Sequence, residues 1–115
     1  MTPQEIINGV RNKNRQLTDK NDELKVLIEE FSMATADYRI ERAKKILDLK
    51  SQGHPVTLIK ELANGDKNIA ELKYKMMVAE GVYNACRSAI NNIRISIDSY
   101  RSILTWLRAE LNSGD

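Results

Sequence analysis

The chain has 115 residues, 42% of them hydrophobic and 30% charged, with 18 Lys and Arg against 16 Asp and Glu for a formal net charge of +2. That length fits one domain and that composition a soluble helical protein, while so small a net charge does not by itself imply a nucleic-acid partner. No apolar run approaches the roughly 20 residues of a membrane span, and a single cysteine, Cys86, excludes an internal disulfide.

Thr2-Pro3-Gln4-Glu5 combines a capping box with proline at the first helical position, so a helix is expected to start there. The amino-terminal residues do not show the basic, apolar, small-residue progression of a secretion signal, and the expected compartment is the cytoplasm. Apolar residues then recur every seven positions at Val10, Leu17, Leu24, Phe31 and Tyr38, with Leu27, Ile28 and Ala34 between them, and continue through Ala43, Ile46, Leu47 and Leu49. Between Gly9 and Asp22 this face is thin and rich in Asn, Thr and Asp, which predicts fraying or bending. Gly53 and Pro55 end the first helix, expected over about 3–50.

Residues 56–63 have room for a short helix before Asn64-Gly65, and Asp66 can cap a second long helix. From Ile69 the chain carries an unbroken alternation of three and four: Ile69, Leu72, Met76, Ala79, Tyr83, Cys86, Ile90, Ile93, Ile97, Tyr100, Leu104, Leu107 and Leu111. This predicts one helix over about 67–111, some 68 Å long at 1.5 Å per residue. The expected fold is all-α: residues 1–115 form a single helical domain, a long antiparallel hairpin with a short connecting helix. Apolar or small residues beside the second seam (Val82, Ala89, Ile103, and further round Met77, Val78, Ile95 and Trp106) widen its stripe beyond what a lone helix pair buries. An oligomeric bundle is therefore expected, with Ile90, Ile93, Ile97, Tyr100, Leu104, Trp106 and Leu107 at its interface.

Little in the sequence suits catalysis or a cofactor. His54 is the only histidine and sits in a turn, which with one cysteine leaves no conventional zinc set, and the five glycines form no phosphate loop. Cys86 occupies a seam position and reads as a small apolar residue. Gly81, inside a helix, points to close approach by a neighbouring helix or a slight bend. Tyr38, Tyr83 and Tyr100 read as seam aromatics, whereas Tyr74 and Trp106 lie off the seam and suit contacts with a partner. No metal, cofactor or enzymatic activity is expected.

The remaining constellation is a row of arginines at Arg87, Arg94, Arg101 and Arg108, about 10.5 Å apart along one side of the last helix. Between Gly81 and Ala109 only Asp98 opposes them. Two readings stand. Such a row neutralises phosphates without reading sequence; equally, it sets helix pairing by facing Glu23, Glu30 and Asp37, which have the same period. A second basic cluster, Arg39, Arg42, Lys44, Lys45, Lys50 and Lys60, surrounds the end of the first helix, partly offset by Glu41, Asp48 and Glu61.

The stretch ADYRIERAKKILDLKSQGHPVTLIKELANGDKNIAELKYKMMVAEGVYNACRSAINNIR, residues 36–94, resembles small helical proteins of phage and prophage replication and recombination modules. Its long helix, Gly/Pro-broken connection and second heptad helix are similar to the UvsY-type recombination mediators. The resemblance implies an oligomeric, non-enzymatic accessory protein in the host cytoplasm, binding single-stranded DNA and meeting a recombinase or single-strand-binding protein. The basic positions assigned to DNA come from this sequence alone: Arg87, Arg94, Arg101, Arg108, Arg39, Arg42, Lys44 and Lys45. The competing expectation is a coiled-coil scaffold, or an inhibitor of a host protein, that binds no nucleic acid.

Overall fold

The computed structural model describes residues 1–113, and among them there are three helices and no strand: α1 (Pro3–Ser51), α2 (Val56–Asn64) and α3 (Lys67–Ser113). Each end has a local cause. The Thr2 amide donates to Glu5 Oε2 and the Glu5 amide to Thr2 Oγ1, both at 3.1 Å, a reciprocal capping box that satisfies two otherwise unpaired donors of α1. At the other end Gly53 takes φ of 82°, a conformation open to glycine but not to most residues. The Gly53 amide then reaches the Lys50 carbonyl (3.1 Å) and the His54 amide the Leu49 carbonyl (3.3 Å), closing the helix with a Schellman pair of bonds. Asp66 opens α3, its Oδ1 accepting from the Ile69 amide at 3.1 Å.

The chain divides into two compact units, and in each of them a stretch of α1 packs antiparallel beside a stretch of α3. In the unit made of Met1–Lys25 and Ala85–Asp115, the Cys86 thiol donates to the Lys20 carbonyl (3.6 Å) and the Tyr100 ring lies over Gly9. Here Ile6, Ile90, Ile93 and Ile97 are buried, with Val10, Leu17, Leu24, Tyr100, Leu104 and Leu107 half-buried beside them. In the unit Val26–Asn84, Phe31 meets Tyr83 with ring centroids 5.8 Å apart, among half-buried Leu27, Ala34, Tyr38, Leu72, Met76 and Ala79. Beyond them α2 turns Ile59 and Ala63 onto Leu49 and the partly buried Ile46 to close a small core.

Burial follows the heptad on both helices. Twelve of the thirteen expected α3 seam positions are buried or half-buried; Leu111 is exposed instead. With Tyr100 level with Gly9, α1 runs out before it can cover a residue so far along α3. The α1 seam runs through Ile6, Val10, Lys13, Leu17, Lys20 and Leu24, so Lys13 and Lys20 are half-buried seam residues. Lysine stems can lie along apolar surface while the ammonium stays wet, and α1 is an uninterrupted helix across the stretch expected to fray.

Gly81 does not mark a close approach within the hairpin, because a methyl group built there meets nothing within 4 Å. Gly9 does: a methyl there would stand 2.9 Å from Tyr100 Cζ. Gly81→Ala should therefore raise stability by about 1 kcal/mol through helix propensity alone, whereas Gly9→Ala should lower the melting temperature despite the same propensity gain. Ile59→Ala should cost about 2–5 kcal/mol in chemical denaturation, the range for truncating a buried aliphatic side chain.

Candidate nucleic-acid interface

The four arginines follow seam residues on α3 (Arg87 after Cys86, Arg94 after Ile93, Arg101 after Tyr100, Arg108 after Leu107), and all four are exposed. Glu23, Glu30 and Asp37 instead precede seam residues on α1, at Leu24, Phe31 and Tyr38. In an antiparallel pair, positions that follow the seam on both helices share one side, and positions that precede it share the other. Within the unit that holds the arginines, Glu23 therefore lies on the opposite flank from them, and its carboxylate is taken by Lys20 Nζ at 2.9 Å. That bond, with the charge behind it, raises the Lys20 ammonium above the ordinary lysine range. Glu30 and Asp37 belong to the other unit.

Among the described residues Arg94 and Arg101 enter no ion pair. The same rule of flanks places Asn14 and Asn21 of α1 on their side, with Arg11 next to them, and Asp98, four residues after Arg94 and three before Arg101, is an acidic side chain on the same face of α3. The whole excess of positive charge falls in this unit, since residues 26–84 carry equal numbers of acidic and basic side chains.

The second basic cluster behaves differently. Arg42 Nε donates to Asn64 Oδ1 at 3.1 Å, Lys44 lies 3.4 Å from Glu41, and Lys45 lies 3.4 Å from Asp66. Three of its four assigned side chains thus serve local contacts between or within helices. Arg39 sits exposed at a shallow open groove with Phe31, Ser32, Thr35, Ala36 and Ile40. The bond from the Ile69 amide, followed by the Lys45 ammonium, holds the Asp66 carboxyl below the ordinary aspartate range.

Of the residues expected at an oligomer interface, Ile90, Ile93 and Ile97 are buried and Tyr100, Leu104 and Leu107 half-buried in the intrachain seam; Trp106 alone is largely exposed, at 59%. Trp106 lies about 140° round the helix from Arg101 at 100° per residue, so a strand following the arginines does not stack on it. Tyr74 is also exposed. His54 is an exposed turn residue whose Nε2 lies 3.2 Å from Gln52 Oε1, and no group of three or more His, Cys, Asp or Glu suited to a metal occurs among the described residues. No described helix is long and apolar enough to cross a membrane. No family model, curated protein or solved structure matches the chain.

The Asp66 geometry has a pH signature. Its carboxyl is held low in the folded state, so its contribution is present above the unfolded aspartate range and is lost as pH falls through the folded value. Asp66→Asn keeps a capping oxygen but removes the charge. It should lower the melting temperature at neutral pH and flatten the acid-side fall below about pH 4, as read in melts across a pH series.

Proposed function

We propose that this chain is a non-enzymatic accessory protein of DNA recombination or replication, acting as a homo-oligomer and binding single-stranded DNA along the arginine face of α3. The supporting observation is that Arg94 and Arg101 are exposed and enter no ion pair among the described residues. Arginines spaced about 10.5 Å along one side of a helix can follow a nucleic-acid backbone by its charge. Arg87 and Arg108 extend the row, and Asn14 and Asn21 add hydrogen-bonding groups at its edge. Seam residues fill the adjoining surface, and Trp106 is on another face, so the row holds phosphates without a base-stacking platform. The recombination setting, a recombinase or single-strand-binding partner and a host-cytoplasmic location rest on the likeness of residues 36–94 to phage accessory proteins.

A second reading has its own support: α1 exposes Val26, Met33, Ile40 and Leu47 at seven-residue spacing, as an interaction scaffold or an inhibitor of a host protein would. Arg94→Glu with Arg101→Glu separates the two. Under the DNA reading the variant keeps its helicity and its mass in solution and loses retardation of a single-stranded oligonucleotide. Substituting both by Gln should reduce the slope of log binding against log salt by about 1.4, near 0.7 for each phosphate contact removed. Failure of the unmodified chain to retard single-stranded DNA at low salt rules the DNA reading out, and dispersal of the oligomer by the charge reversal favours the scaffold.

A further inference from the structure

Roughly half a turn round α1 from the residues that meet α3, a second heptad seam is written on the same helix. Met33, Ala36, Ile40, Ala43 and Leu47 alternate spacings of three and four, and all five are exposed, the three large ones at 67%, 53% and 65%. The inner seam of the same stretch, Phe31, Ala34 and Tyr38, is half-buried. A helix that is apolar on two opposite faces is built to pack on two sides, and among the described residues only one side is occupied.

We infer that two copies of this chain associate through this outer face of α1, antiparallel, about a twofold axis between residues 41 and 42. Large and small residues alternate along the seam, so antiparallel pairing sets Ile40 against Ala43 of the second copy and Leu47 against Ala36, each large side chain over a methyl that lets the helices approach. A parallel pair would instead stack large on large and small on small. Met33 falls beside Lys50 of the second copy, whose stem covers it.

Charge selects the same register. Asp37 and Lys44 follow Ala36 and Ala43 on one flank of the seam, and in this pairing each Asp37 meets Lys44 of the other copy, twice by symmetry. Sliding one heptad the other way brings the two Asp37 carboxylates together and sets Glu29 against Leu47. Asp37 enters no ion pair among the described residues, and Lys44 holds only an exposed contact to Glu41, which costs little to exchange. This outer face supplies a surface for the self-association in the proposed function, and it makes no nucleic-acid contact, so the dimer and the DNA binding can each fail alone.

Light scattering and sedimentation of the full chain without DNA test it. The unmodified protein should be dimeric or a larger even assembly at high micromolar concentration. Ile40→Lys should yield a monomer with unchanged helicity by circular dichroism. Asp37→Lys should weaken association about tenfold, since two ion pairs become two like-charge contacts, and Asp37→Lys with Lys44→Asp should restore it. In a Cys86→Ser background, a mixture of Ile40→Cys and Ala43→Cys chains should oxidise to the mixed dimer in preference to either self-dimer. A monomeric unmodified protein, an assembly untouched by Ile40→Lys, a charge exchange that rescues nothing, or preferred Ile40→Cys self-dimers would each overturn the inference. An unmodified protein that is dimeric but does not retard single-stranded DNA would count against the nucleic-acid reading alone.

Discussion

Packing between the apolar seams of α1 and α3 is the interaction on which the rest of this structure depends. In a folded protein a helix draws most of its stability from a buried face rather than from local preference. Each seam supplies that face to the other, and in doing so it fixes the rotation of both helices about their axes. Every flanking residue then has an assigned side. The arginines of α3 turn away from Glu23 for this reason alone, and their exposure is a by-product of where Ile90, Ile93 and Ile97 must go. The same rotation leaves Met33, Ile40 and Leu47 facing outward.

Much of this is legible in the residues. The α3 seam can be read position by position, because its Ile, Tyr and Leu residues contrast with polar neighbours on either side. Thr2, Pro3 and Glu5 mark the start of α1, and Gly53 its end, through bonds that involve only nearby residues. The amino-terminal half of α1 reads as weak because Lys13 and Lys20 stand where a heptad seam calls for apolar residues. A hydropathy pattern scores a lysine by its ammonium, whereas the seam uses its methylenes.

Other features need contacts between distant residues. Gly81 and Gly9 look alike in sequence, and only the position of Tyr100 separates an idle glycine from a necessary one. The opposition of the arginine row and Glu23 is available from the sequence: one row follows its seam, the other precedes it, and antiparallel packing sends the two to different flanks. A shared period of seven suggests pairing, but period alone says nothing about phase. The basic cluster at the end of α1 is a matter of proximity as well, since Asn64 and Asp66 come from beyond the connection to occupy Arg42 and Lys45. The outer heptad of α1 is hidden in the sequence for a different reason. Its alanines and the inner seam overlap in the same window, so two apolar stripes read as one.

The turn built on Gly53 also orders the entropy of the chain. Beside it, Arg42 reaches Asn64 across 22 residues, while Cys86 and Lys20 are 66 residues apart and Tyr100 and Gly9 further still. Closing a loop costs more as its length grows, though only logarithmically. Once contacts nearest the turn exist, however, each later one closes only the short gap left by its predecessor. A left-handed glycine and its two hydrogen bonds thereby shorten the gap that the contacts of greatest sequence separation have to close.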